Sequence, residues 1–169
     1  MNNPTLIPSG HWYSIRDGDP RGRRLYVNHY SSSPAARRLR DARGNAARFV
    51  GPGQKLILLT PDGSALCAWR RERYRLDAQL GVNCSIFRNE GPIRSSVLIL
   101  EACLLAWRKW PGERLFTFVD EQATARRRAK HSQPGQCFVA AGWTLLEERS
   151  KKRGHRILEI LPEAMELVS

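Results

Sequence analysis

The run between residues 82 and 120 constrains the fold of this chain more than any other stretch. Val82–Phe87 is a short apolar segment of strand type, Ser95–Trp110 has helical length and ends at Pro111-Gly112, and Leu115–Asp120 is a second strand. Two neighbouring strands joined through a helix run parallel, with a right-handed crossover. The run therefore predicts a parallel strand pair with a helix packed on the sheet.

Antiparallel hairpins flank this run on both sides. Lys55–Thr60 and Ser64–Arg70 enclose the turn signal Pro61-Asp62-Gly63. Trp143–Glu148 and Arg156–Leu161 enclose a short basic loop. We therefore expect an α/β (α+β) fold with a mixed, mostly antiparallel central sheet and helices on both faces.

The rest of the chain adds smaller elements to a single domain over residues 1–169. We expect a loop-rich segment over residues 1–22, a short strand over Arg24–Val27 and a short helix over Phe138–Ala141. Ser33 and Pro34 suit the start of a basic helix over Ala35–Arg48. At 169 residues, the chain is long enough for one domain with a substantial core.

The charge of the chain favours a polyanionic partner. Its 28 Lys and Arg residues against 16 Asp and Glu residues give a formal net charge of +12. Such an excess suits nucleic acid or a polyphosphate cofactor, although each basic cluster by itself is more often a solvated surface. Trp12, Tyr13 and Trp69 could stack on a base. The candidate DNA-contacting residues are Arg37, Arg38, Arg40, Arg70, Arg71, Arg126, Arg127, Arg128, Lys130, Lys151 and Lys152.

Cysteine spacing and hydropathy exclude several other classes. The four cysteines form no CxxC pair, so neither a zinc site nor a disulfide framework is indicated. Cys84 and Cys103 lie in apolar contexts and are expected to pack as small hydrophobes. No signal peptide and no apolar run of membrane-spanning length is present, so we expect no membrane contact and a cytoplasmic location.

The turn between the strand at residue 82 and the following helix has the character of an anion site. It reads Arg88-Asn89-Glu90-Gly91-Pro92-Ile93-Arg94 and leads into Ser95-Ser96. Free amides at a helix start and the helix dipole both attract phosphate groups, and guanidinium groups add charge-assisted hydrogen bonds. An ordinary strand-to-helix loop with a serine cap has the same pattern. We therefore treat binding of a phosphate-bearing cofactor at this turn as a hypothesis.

Two motifs and the order of elements resemble the GNAT family of N-acetyltransferases. In that family the turn after the fourth strand reads Q/R-x-x-G-x-G/A; Arg88 and Gly91 match it, whereas Ile93 departs from it. The segment FVAAGW at residues 138–143 resembles the family ending F/Y-x-x-x-G-F. The resemblance implies acetyl-CoA as the cofactor. The residues it implies for cofactor binding are Arg88, Asn89, Gly91, Arg94, Ser95 and Phe138.

A closer resemblance is to the Mom-type DNA-modification proteins of bacteriophages, which are divergent GNAT-fold enzymes. It lies in FRNEG followed by RSS, then TFVD and QPGQCFVAAGW, together with the pair His29-Tyr30. It implies transfer of an acetyl-CoA-derived group to a DNA base, or to an amine on a hypermodified base, to evade host restriction. The enzyme would then work in the host cytoplasm if phage-encoded. It also makes iron a candidate cofactor.

Four residues are candidates for the chemistry, each with a structural alternative. Asp120 could act as general base or, beside His29, as a metal ligand, but an Asp there also suits a helix N-cap. His29 and Tyr30 could position the base, ligate a metal or move a proton, or simply pack at the end of a strand. Ser96 could contact phosphate or the acyl group, or only start the helix.

Two other functions fit the same residues. One is a conventional GNAT acetyltransferase acting on a protein or small-molecule amine, for which DNA affinity would be incidental. The other is a DNA-binding module that kept the fold and lost the cofactor, an alternative that Ile93 favours. Salt-dependent DNA binding would argue against the first, and acetyl-CoA binding against the second.

Overall fold

A seven-stranded sheet forms the centre of the fold. The computed structural model describes residues 10–32, 47–125 and 132–165. In chain order, the described elements are β1 (Tyr13–Ile15), α1 (Pro20–Val27), β2 (Gln54–Leu59), β3 (Ala65–Arg71), β4 (Val82–Asn89), α2 (Ser95–Lys109), β5 (Leu115–Val119), α3 (Glu121–Ala125), α4 (Gln136–Ala140), β6 (Thr144–Arg149), β7 (Arg156–Ile160) and a 3₁₀ turn at Pro162–Met165.

The sheet is mixed and mostly antiparallel, as predicted. Its strand order is β1-β2-β3-β4-β5-β7-β6. The β4–β5 pair is parallel and every other pair of neighbours is antiparallel. The parallel pair is the one joined through α2, so the predicted parallel strands with a helix between them are confirmed.

Both predicted hairpins are confirmed. In the first, Leu59 of β2 pairs with Leu66 of β3 around a turn in which Gly63 has φ +71°. Asp62 accepts hydrogen bonds in that turn from Thr60 Oγ1 (2.8 Å) and from Ser64 Oγ (2.7 Å). Turn chemistry of this kind fixes the strand register locally, which is why the sequence predicts it well.

The prediction for the N-terminal region is wrong in two places. Arg24–Val27 is the end of helix α1 and not a strand, and Tyr13–Ile15 forms β1 inside the segment expected to be loop-rich. Asp19 caps α1 by accepting a hydrogen bond from the Arg21 amide (2.9 Å), and Pro20 occupies the first turn. An Asp-Pro start is a helix signal that outweighs the strand-like residues after it.

The buried side chains form two clusters. Along β3, Cys67 and Trp69 belong to one cluster and Leu66 and Ala68 to the other, so the clusters lie on opposite faces of the sheet. The first cluster includes residues of α2 and α4, and the second includes residues of α1. The cysteines are free thiols, and Cys84 and Cys103 are buried as expected.

Part of the predicted organisation lies outside the described residues. This applies to residues 35–46 of the expected basic helix and to residues 126–130. Within the described ranges, no helix combines the length and the apolar character needed to cross a bilayer.

Candidate functional site

The parallel strands β4 and β5 separate soon after they begin. Their backbones pair at Val82–Leu115 and Asn83–Phe116. One residue further along, the Thr117 side chain donates from Oγ1 to the Cys84 carbonyl (2.8 Å), so a side chain spans the widening gap. Beyond this point β4 continues to Asn89 and β5 to Val119. The strand ends therefore border an open cleft in the middle of the sheet.

A cavity of about 430 Å³ occupies this cleft. Its wall is built from β4, β5, the loop after α1, and the segment around α4. Its polar lining includes His29, Tyr30, Ser85, Thr117 and Thr124. Most of the wall is apolar, and the apolar side chains are Cys84, Phe87, Phe118, Val119, Cys137 and Phe138. A cavity that is mostly apolar with a few convergent polar groups is typical of a ligand site.

Ser85 lies at an irregularity in β4. The pairing register between β3 and β4 shifts at Ala68–Trp69, where Ala68 pairs with Ile86 and Trp69 with Cys84. Ser85 is the extra residue of this bulge, and its Oγ donates to the Ala68 carbonyl (3.3 Å). Bulges re-aim the backbone of a strand and occur often beside functional sites. Here the bulge lies on the cavity wall.

His29 is buried at the end of the cavity that faces α1, with 9% of its surface exposed. Its Nδ1 accepts a hydrogen bond from the Ser31 amide (3.2 Å) and lies 2.7 Å from Ser31 Oγ. Because Nδ1 accepts from an amide, the neutral ring carries its proton on Nε2. The geometry therefore presents His29 as a hydrogen-bond donor at Nε2.

Tyr30 packs against His29, with 4.3 Å between the ring centroids. Its hydroxyl donates to the Phe118 carbonyl across the cleft (3.3 Å). Burial of the hydroxyl raises the pKa of Tyr30 to about 12, and the negative charge of Asp120 adds to this effect. The phenol therefore keeps its proton at neutral pH, and both residues of the pair lie in the cavity wall.

Asp120 acts as the N-cap of α3, which is the structural role that the sequence analysis gave as the alternative to catalysis. Its Oδ1 accepts hydrogen bonds from the amides of Gln122 and Ala123, both 3.0 Å, and so caps α3. Its Oδ2 lies 3.6 Å from His155 Nε2. Among the described residues no group of three or more His, Cys, Asp or Glu side chains is arranged to hold a metal ion.

The turn from Arg88 to Arg94 is held together by its own side chains. Arg88 donates to Glu90 through Nη2 (2.9 Å), and Arg24 donates to the same carboxylate (3.1 Å). Burial would raise the pKa of Glu90, but these two guanidinium groups outweigh it and the pKa is lowered. Asn89 accepts from the Gly91 amide (2.9 Å). Two of the expected anion donors, Arg88 and the Gly91 amide, are thus already engaged.

Gly91 is required by packing as well. A Cβ at this position would lie 2.9 Å from Ser64 Cβ and closer still to Ser64 Oγ. The glycine therefore lets the turn approach the β2–β3 hairpin, which the sequence pattern alone does not reveal.

The start of α2 has two backbone amides without an acceptor among the described residues. Arg94 occupies the N-cap position and makes no side-chain hydrogen bond to the first turn. The amides of Val97 and Leu98 bond to the Arg94 carbonyl. For the amides of Ser95 and Ser96 the described part of the chain offers no acceptor. These two donors, the exposed Arg94 and the dipole of a 15-residue helix remain for a ligand.

The short helix α4 closes the cavity on one side. Phe138 is buried and packs edge-to-face on Phe87 (5.8 Å) and on Trp143 (4.9 Å). Gly135 precedes α4 with φ +68°, and a Cβ there would meet Leu158 Cδ1 at 2.8 Å. Burial raises the pKa of the Cys137 thiol to about 11, so this cavity residue is a neutral thiol at physiological pH.

The basic residues named from the sequence differ in exposure and in their acidic neighbours. Arg70 pairs with Glu72 (3.4 Å) and Arg71 with Glu113 (2.7 Å), so acidic neighbours offset both charges. Lys151 and Lys152 are exposed at the tip of the β6–β7 hairpin. The remaining candidates lie outside the described residues, and they are Arg37, Arg38, Arg40, Arg126, Arg127, Arg128 and Lys130.

The predicted base-stacking role of three aromatic residues is wrong. Trp12, Tyr13 and Trp69 are 1%, 4% and 0% exposed. Trp12 donates from Nε1 to the Leu98 carbonyl inside the first core cluster (2.9 Å). Burial of the three rings within the core leaves no face for a base.

The sequence-based selection missed Ser85, Thr117, Thr124 and Gln136, all of which line the cavity. Ser85 and Thr117 are polar residues inside apolar strand patterns, which is a signal that could have found them.

No protein-family model matches this chain, and the searches of curated proteins and of solved structures found no similar protein.

Proposed function

We propose that this chain is an acyltransferase with a GNAT-like fold, helices on both faces of the sheet, and an acyl-CoA site in the cleft between β4 and β5. The observation that carries the proposal is the cavity where the two parallel strands separate, with the uncapped start of α2 following β4. Ligands of open α/β sheets bind outside the carboxyl ends of parallel strands. The resemblance of the turn at Arg88 and of the segment 138–143 to GNAT motifs points the same way.

The residues present fit acetyl-CoA. The amides of Ser95 and Ser96 together with Arg94 would hold the diphosphate, since this helix start has donors to spare. The apolar wall with Phe87, Val119 and Phe138 suits the pantetheine arm. When bound, the cofactor would supply an activated acyl carbon.

The side chains of the cavity suit proton donation more than proton removal. Tyr30 holds a proton on Oη at neutral pH; it would exchange its hydrogen bond to the Phe118 carbonyl for one to the leaving group and release the proton there. His29, whose Nδ1 accepts from the Ser31 amide, would fix the position of the Tyr30 ring that it contacts. Asp120 remains the proposed acceptor of the proton lost by the incoming amine, at Oδ2, because Oδ1 is committed to the α3 cap. Ser96 belongs to the anion-binding end of the site.

The proposed acceptor is a base of double-stranded DNA or an amine on a modified base. The net charge of +12 and the exposed lysines of the β6–β7 tip support a polyanionic partner. A target atom inside the duplex requires extrusion of the nucleotide. DNA and acetyl-CoA meet in the cytoplasm, and we place the activity there.

Mass spectrometry of nucleosides tests the proposal. Plasmid DNA would be recovered from cells expressing the wild type, Tyr30→Phe, or Tyr26→Phe, which removes the same hydroxyl from α1 outside the cavity. We expect a new nucleoside in the wild type and the Tyr26→Phe control, and its loss in Tyr30→Phe. Isothermal calorimetry with acetyl-CoA on the same proteins measures the cofactor site separately.

The other outcomes identify the competing functions. Acetyl-CoA binding with acetylation of a peptide or polyamine, and no new nucleoside, would make the chain a conventional acetyltransferase. Salt-dependent DNA binding without acetyl-CoA binding would make it a non-catalytic DNA-binding module. Absence of both kinds of binding would overturn the proposal.

A further inference from the structure

The segment between β3 and β4 carries the most exposed large hydrophobic side chains among the described residues. Tyr74 is 83% exposed, Leu76 108% and Leu80 81%, whereas the other exposed large hydrophobic residues reach at most 45%. We name these three residues the apolar knuckle. Single exposed hydrophobic residues are normal, but a group of three within a short segment marks a contact surface.

The segment is held in place by polar contacts that do not involve the knuckle side chains. The Arg75 side chain is only 9% exposed, donates to Glu72 (3.0 Å) and Asp77 (2.6 Å), and lies over the Phe116 ring at 5.1 Å. Arg75 lowers the pKa of Asp77, whose carboxylate also accepts from the Gln79 amide (3.1 Å). The knuckle side chains are therefore not needed to order their own segment.

The root of the segment is joined to the cavity wall. Arg75 Cζ lies 5.9 Å from the centroid of the Phe118 ring. Phe118 lines the cavity and its carbonyl accepts the Tyr30 hydroxyl hydrogen bond. A single residue of β5 therefore contacts both the brace of the knuckle and the proposed catalytic tyrosine.

Charge indicates which partner the knuckle meets. Arg73 lies beside it, with Cζ 5.6 Å from the centroid of the Tyr74 ring. Arg73 has no acidic partner within ion-pair distance in the described ranges, unlike Arg70, Arg71 and Arg75. An apolar projection beside a free cation on a chain of net charge +12 suits a polyanion whose interior is apolar. Stacked bases behind a phosphate backbone have this character, and apolar side chains are known to enter base steps as wedges.

We propose that the apolar knuckle inserts into the base stack of duplex DNA beside the amino-terminal ends of β4 and β5, and so unstacks the duplex from which the nucleotide is extruded. This inference rests on the proposed function, since the wedge would assist extrusion of the base on which the enzyme acts. Leu76 and Leu80 would enter the stack, Tyr74 would stack on an exposed base, and Arg73 would contact phosphate.

Permanganate oxidation of thymines, which detects loss of stacking, tests the wedge on a mixed-sequence duplex. The variants are Leu76→Ser with Leu80→Ser, and a control pair, Leu104→Ser with Leu161→Ser, each of which is 45% exposed on other elements. We expect the wild type and the control pair to make thymines reactive to permanganate. With the knuckle pair, thymine reactivity should be about tenfold lower. Duplex affinity, measured by fluorescence anisotropy, should change by less than about threefold, because phosphate contacts dominate it.

The remaining outcomes separate the wedge from the function on which it rests. The wedge is overturned if the knuckle pair makes thymines as reactive as the wild type does. It is also overturned if the wild type binds duplex DNA and makes no thymine reactive. In both cases the modified-nucleoside assay still decides the proposed function. If the wild type sediments as a dimer and the knuckle pair as a monomer, the knuckle is a self-association surface and the wedge is wrong. A wild type that neither binds nor modifies duplex DNA overturns both.

Discussion

At the scale of single residues, His29 and Tyr30 present protons to the cavity in different ways. The Ser31 amide directs the His29 proton to Nε2, whereas enclosure against β5 keeps the Tyr30 phenol neutral. Both side chains are consequently donors at neutral pH. The Phe118 carbonyl holds the Tyr30 proton in this structure, so a ligand would receive that proton only by replacing the carbonyl as its acceptor.

The titration of Tyr30 is the first prediction. The folded state raises the pKa of this phenol from 10.0 to about 12, so the neutral form is favoured by folding. The stability that follows is fully present below pH 10 and is lost as the pH rises through about 12. Tyrosinate absorbance of the wild type minus that of Tyr30→Phe should show one group with a midpoint near 12. A midpoint near 10 would show that the hydroxyl is not enclosed.

Gly91 gives the second prediction. Its φ is not positive, so only the contact with Ser64 opposes a side chain. We expect Gly91→Ala to lower the free energy of unfolding by about 1–3 kcal/mol through overpacking. Urea denaturation measures the loss.

A double-mutant cycle with Ser64→Gly controls this prediction. Because Ser64→Gly removes both atoms that the new Cβ would meet, Gly91→Ala should cost much less in that background. Equal costs in the two backgrounds would place the requirement for glycine elsewhere, for instance in the backbone of the turn.

At the scale of elements, the sequence predicts best where turn chemistry or a crossover decides the structure. The β2–β3 hairpin follows from Pro61-Asp62-Gly63, and the parallel pair follows from the helix between its strands. Helix α1 was predicted wrongly, although Asp19-Pro20 is a good helix start, because the residues after it have strand character. Three-residue β1 is short, and its pairing with β2 is set by tertiary contact rather than by local preference.

The candidate site was predictable in part, for a related reason. His29, Tyr30 and Phe138 were named from the sequence and lie in the cavity wall. The bulge at Ser85 and the separation of β4 from β5 depend on pairing between distant segments, so no local pattern predicts them. Arg88 and the Gly91 amide are engaged within their own turn, by Glu90 and Asn89, and only the contact of Gly91 with Ser64 comes from a distant segment.

The start of α2 gives the third prediction, in which a substitution increases the stability of the protein and weakens ligand binding. Arg94 has the N-cap backbone geometry, φ −58° and ψ 130°, without a side-chain cap. Arg94→Ser should therefore raise the free energy of unfolding by about 1 kcal/mol and weaken acetyl-CoA binding. Arg94→Ala, which removes the charge without adding a cap, should weaken binding without that gain. Thermal unfolding and calorimetry measure the two effects. A serine variant that binds as tightly as the wild type would show that the anion site lies elsewhere.

At the scale of the whole molecule, the elements are arranged around one break in the sheet. One half of the sheet consists of the antiparallel strands β1 to β4, and the other half consists of β5, β7 and β6. The cleft separates the two halves at the carboxyl-terminal ends of β4 and β5. The His29–Tyr30 pair and α4 line the cleft, and Arg75, at the root of the apolar knuckle, contacts the ring of Phe118 in the cavity wall. The break in the sheet therefore gathers the cavity and the segments that line it in one region of the molecule.

The salt dependence of DNA affinity gives the last prediction, because a net charge of +12 acts on the molecule as a whole. The affinity should fall linearly with salt on a double-logarithmic scale, by a slope of about 0.9 for each phosphate neutralised. Lys151→Ala with Lys152→Ala, at the exposed β6–β7 tip, should reduce the slope by about 0.9 for each contact that is lost. Arg108→Ala with Lys109→Ala removes the same charge from the C-terminal end of α2, far along the helix from the cleft, and should leave the slope closer to that of the wild type. Anisotropy titrations at several salt concentrations make the comparison. Equal reductions in both pairs would mean that net charge alone attracts DNA and that the hairpin tip makes no defined contact.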